Sequence, residues 1–72
     1  MVTLHTVEEI IAQLGGVRAV ARLVRRGDTA IYNWLAAKRM PSDHYKVMID
    51  ALAQRGLTAP SRLWGQRDLV AA

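Results

Sequence analysis

Seventy-two residues make one domain with a modest core. Apolar side chains are 51 % of the chain, cysteine is absent, and ten Lys and Arg face six Asp and Glu, for a net charge of +4 and a pI near 10.4. This excludes a disulfide scaffold and a thiolate zinc site, fits a reducing setting, and makes an anionic partner for some basic face the expectation. No apolar run approaches membrane-spanning length. The first residues lack the basic start and apolar stretch of a signal peptide, so a cytoplasmic location (bacterial cytoplasm or nucleoid) is expected.

Four helices and a further short turn follow from the pattern. Thr6 with Glu9 is a capping box, and Val7, Ile10, Ile11 and Leu14 form the first apolar stripe up to Gly15-Gly16. Val17, Val20, Ala21 and Val24 form the second, with Arg18, Arg22 and Arg25 on the other side. Arg25-Arg26-Gly27 is a turn, and Asp28 is expected to cap the third helix. Ile31, Trp34 and Leu35 supply that helix's buried side, and Pro41 is expected to end it. Ser42 or Asp43 should cap the fourth helix, whose stripe reads Val47, Met48, Ala51 and Leu52 before the stop at Gly56. Residues 57–65 hold at most a short helical turn, with Pro60 suited to its first position. The domain is thus expected over residues 1–65, with 66–72 a flexible tail. The fold class is all-α.

The second and third helices carry the functional signal. Ala21 is small enough for a close crossing, the turn follows four residues later, and Ile31 and Trp34 fall on the facing side of the next helix. Two short helices so joined describe a helix-turn-helix over about residues 17–37. "VRAVARLVRRGDTAIYNW" resembles the helix-turn-helix of phage Cro and lambda-repressor-like DNA-binding proteins. The stretch from Val7 to Trp64, about four-fifths of the chain, is similar to a small single-domain branch called carph-isopro. The shared features are "LGGVRAVARLV", the aliphatic-x-Asn-Trp segment at Ile31 to Trp34, and a basic segment ending in "MPSDHY". The family often has Gly where this chain has Arg25. Gly27 is the residue expected to take the special backbone conformation instead.

The resemblance implies a compact four- to five-helix DNA-binding domain whose third helix, residues 29–37, enters the major groove. Thr29, Tyr32, Asn33 and Ala36 then share one face, three, four and seven residues apart. Asn pairs bidentately with adenine, Thr offers a hydroxyl or its methyl, and Ala touches a thymine methyl. Arg18, Arg25, Arg26, Lys38 and Arg39 are the candidate phosphate contacts. Each has a plainer use: a solvated arginine, an Asn33 that is only surface, a Tyr32 at the core's edge. Trp34 reads as core. Lys46, Arg55, Arg62 and Arg67 read as ordinary surface charges.

Other motifs carry less. Arg26-Gly27-Asp28 matches an adhesion tripeptide, but its Asp has the cap as a simpler role. His5 and His44 have no third ligand, so no metal is expected. Ser42 and Ser61 have no base and orienting group, so neither enzyme activity nor a cofactor is expected. No small-molecule ligand is evident. The expected function is a sequence-specific double-stranded DNA-binding transcriptional regulator, a repressor acting by promoter occupancy. The alternative is an adaptor or antitoxin-like protein-interaction module on the same fold. A membrane-surface peptide is the third reading, weakened because every basic segment also carries a core stripe. Leu57, Leu63 and Trp64 lie beyond the four helices. They either fold back over their own core or form a homodimer contact, and a homodimer on an inverted-repeat operator is the expectation.

Overall fold

A computed structural model describes residues 2–65. It is mostly helical: α1 (Val7–Gln13), α2 (Val17–Val24), α3 (Asp28–Ala37) and α4 (Tyr45–Gln54). Two 3-10 turns, Ser42–His44 and Ser61–Trp64, flank α4 on either side in the chain. The all-α expectation needs one correction. Val2–Thr3 (β1) and Leu57–Thr58 (β2) pair in parallel, Val2 opposite Leu57 and Thr3 opposite Thr58. The Val2 amide donates to the Gly56 carbonyl at 3.1 Å and the Leu4 amide to Thr58 at 2.8 Å.

The capping box forms as its residues dictate. Thr6 Oγ1 accepts from the Glu9 amide at 3.2 Å. The Glu9 carboxylate in turn accepts from the Thr6 hydroxyl at 3.0 Å and the His5 amide at 3.4 Å. Two other expected caps fail. Gly27, in extended conformation, precedes α3, and Asp28 is the first helical residue with no side-chain cap bond in place. Ser42 and Asp43 lie within a 3-10 turn, so α4 begins only at Tyr45, after His44. α3 also ends earlier than Pro41 requires, at Lys38, whose backbone is left-handed (φ 57°, ψ 35°). Pro60 precedes the last 3-10 turn rather than opening it.

One core joins all the elements. The α1 and α2 stripes supply Val7, Ile10, Ile11, Leu14, Val20, Ala21 and Val24. Ile31 and Trp34 enter from α3, and Met48, Ala51 and Leu52 from α4. Leu4, Met40, Ala59 and Trp64 close it from the connecting segments. Val47, expected in the α4 stripe, is 43 % exposed, while Ile49 packs against the core. Trp64 is wholly buried. Its indole N–H donates to the Met48 sulfur at 3.4 Å, and its ring meets that of Tyr45 edge-on, centroids 5.1 Å apart. A buried indole needs both an apolar bed and a partner for its N–H, and here it has both. Trp64 therefore belongs to the monomer core and is not available to a dimer contact. Leu57 and Leu63 are half-buried against the same core.

Candidate nucleic-acid interface

α2 and α3 pack against each other, joined by the turn at residues 25–27. The Arg25 amide donates to the Arg22 carbonyl at 3.3 Å, and the Arg26 amide to Ala21 at 3.0 Å. These crossed bonds close α2 and require a left-handed residue between helix and turn. Arg25 takes that conformation itself, at φ 58° and ψ 45°. Gly27, expected to take it, has an ordinary extended backbone at φ −75°.

The same closure recurs at the far end of α3. The Lys38 amide donates to Leu35 at 3.3 Å and the Arg39 amide to Trp34 at 3.2 Å, around left-handed Lys38. By contrast α1 uses a glycine in this place, Gly15 at φ 108°. Thus α3 is bracketed by two residues that take a glycine-favoured backbone yet carry a positive side chain.

Between those brackets α3 has two unlike faces. Ile31 and Trp34 are buried, with Ala30 and Leu35 half-buried beside them. Thr29, Tyr32, Asn33 and Ala36 are all exposed, and Tyr32 keeps 60 % of its surface free, so it is not a core-edge residue. The Trp34 ring lies 5.5 Å from that of His44, which ties the anchored side of α3 to the next turn. The open face therefore sits on a helix fixed from behind.

The five candidate cations Arg18, Arg25, Arg26, Lys38 and Arg39 are exposed. Arg22, on the outer side of α2, is exposed as well and belongs with them. One carboxylate lies among them: Asp28 Oδ2 is 3.7 Å from Arg18 Nε, with side chains 46 % and 85 % exposed. A pair that open contributes little to stability. What it does is place the start of α2 beside the start of α3. A second feature has no signal in the sequence: Arg39 lies against Gly65, thirty-nine to sixty-five being far apart in the chain. Leu69 and Val70, once considered with the dimer contact, lie outside the described residues, as does Arg67 among the surface charges.

Among the described residues no group of three or more His, Asp or Glu side chains is arranged to hold a metal ion. No helix among them is long and apolar enough to cross a membrane. Comparison of the chain with protein-family models, curated proteins and solved structures gives no match.

Proposed function

We propose that this protein binds double-stranded DNA in a sequence-dependent way, with residues 17–37 as a helix-turn-helix and α3 as the helix that enters the major groove. The reading agrees with the resemblance to Cro and lambda-repressor-like proteins. One observation carries it: an anchored helix that leaves Thr29, Tyr32, Asn33 and Ala36 open and has a left-handed cation at each end. An ordinary solvated helix face is built from mixed charge, whereas this face carries no charge. Small and polar groups permit close approach to base edges, and the bracketing cations suit the phosphates on either side of a groove. A regulator acting by occupying its site is the simplest use of such a domain.

The test is a salt titration on a selected genomic fragment and on random DNA. Affinity should fall linearly in log–log form by about 0.9 per phosphate neutralised. A discriminating gap between the two DNAs should remain. Binding that is weak and salt-independent on both would refute the reading and favour a protein partner.

A further inference from the structure

The segment after α4 returns to the exit of α3. The Met40 amide donates to the Leu63 carbonyl at 2.8 Å, which lays residues 63–65 beside residues 38–40. Gly65 ends this segment with a left-handed backbone (φ 70°). A methyl group placed on Gly65 would lie 2.9 Å from both Nε and Nη2 of Arg39, and 3.4 Å from Cζ. The guanidinium thus occupies the space that any other residue at position 65 would fill. Gly56 is its counterpart elsewhere: nearly the same backbone (φ 72°), but a methyl group there would meet nothing within 4 Å.

We propose that Gly65 is a positioning residue for DNA binding: by lacking a side chain it gives the Arg39 guanidinium a fixed seat at the end of α3, from which Arg39 holds a phosphate. This rests on the DNA-binding reading above. A long side chain loses rotamer freedom when it grips a phosphate, and one already seated loses less. Nothing in the local sequence around Arg39 supplies that seat, so the C-terminal segment is part of the binding unit.

Gly65→Ala should weaken binding to specific and random DNA alike, by roughly two- to tenfold. The salt slope should become shallower by about 0.9, the contribution of one phosphate. Gly56→Ala is the matched control. It meets the same backbone strain without touching Arg39, so it should lower the unfolding midpoint comparably while leaving the slope unchanged. Arg39→Ala should reproduce the effect, and Gly65→Ala in that background should add nothing. Gly65→Asn tolerates a left-handed backbone better and carries the same Cβ, so it replaces Gly65→Ala if that variant does not fold. An unchanged slope in the folded Gly65 variants, with wild-type binding intact, overturns the role of Gly65 alone. Wild-type protein that binds no DNA overturns the parent reading as well.

Discussion

At the scale of single residues, the two left-handed cations separate stability from binding. A side chain in that backbone region costs about 1–2 kcal/mol, a strain that glycine avoids, although glycine has more freedom to lose from the unfolded chain. Arg25→Gly and Lys38→Gly should therefore raise stability, by up to about 1 kcal/mol each, while weakening binding to every DNA sequence. Denaturant unfolding and a salt titration on the same two variants read both effects. A loss of stability, or binding equal to wild type, would leave these cations without the proposed role. Asn33 is expected to act differently, because a base contact discriminates and a phosphate contact does not. Asn33→Ala should lose roughly 1–3 kcal/mol on the specific site and much less on random DNA. Equal losses on the two would place Asn33 outside base readout.

The helices are the elements most legible in the sequence, because their stripes repeat every three to four residues and each stripe meets one core. What escaped was local or long-range. Asp28 is a favoured cap by residue type, yet Gly27 holds the extended backbone of a cap and Asp28 starts the helix near Arg18. The α4 stripe shifts away from Val47 because Trp64 and β2 pack on α4 and draw its buried face toward Met48. Strands of two residues are too short to show an alternation, and their pairing joins distant segments. The open face of α3 was readable as spacing, whereas the Arg39–Gly65 contact was not, since it depends on where the C-terminal segment returns. Trp64 shows how an apolar residue outside any stripe can be read two ways. With its place in the core known, Trp64→Ala should cost about 3–5 kcal/mol, most of what a domain this small has. Circular dichroism through a denaturant series measures it. A variant of near-native stability would return Trp64 to the surface.

For the whole molecule, the remaining question is how a domain 35 Å in its longest dimension reads enough sequence. One inserted helix spans only a few base pairs. Two copies related by a two-fold axis would read half-sites about 34–36 Å apart, and the domain is of a size to sit on one half-site each. We therefore expect two chains per specific site, on an inverted repeat, through surfaces other than Trp64. Sedimentation of the complex at saturating protein decides it, and one chain per site would end the dimer model. The parallel pairing of Val2–Thr3 with Leu57–Thr58 has a further consequence, in time rather than in space. Neighbouring helices meet early because little chain separates them, but this ribbon closes a loop through nearly the whole described fold and carries the largest closure entropy. It should be the last part to form and the first to open. The Leu4 amide, bonded to Thr58, should then exchange its hydrogen with solvent sooner than the Leu14 and Val20 amides, which are bonded within or beside their own helices.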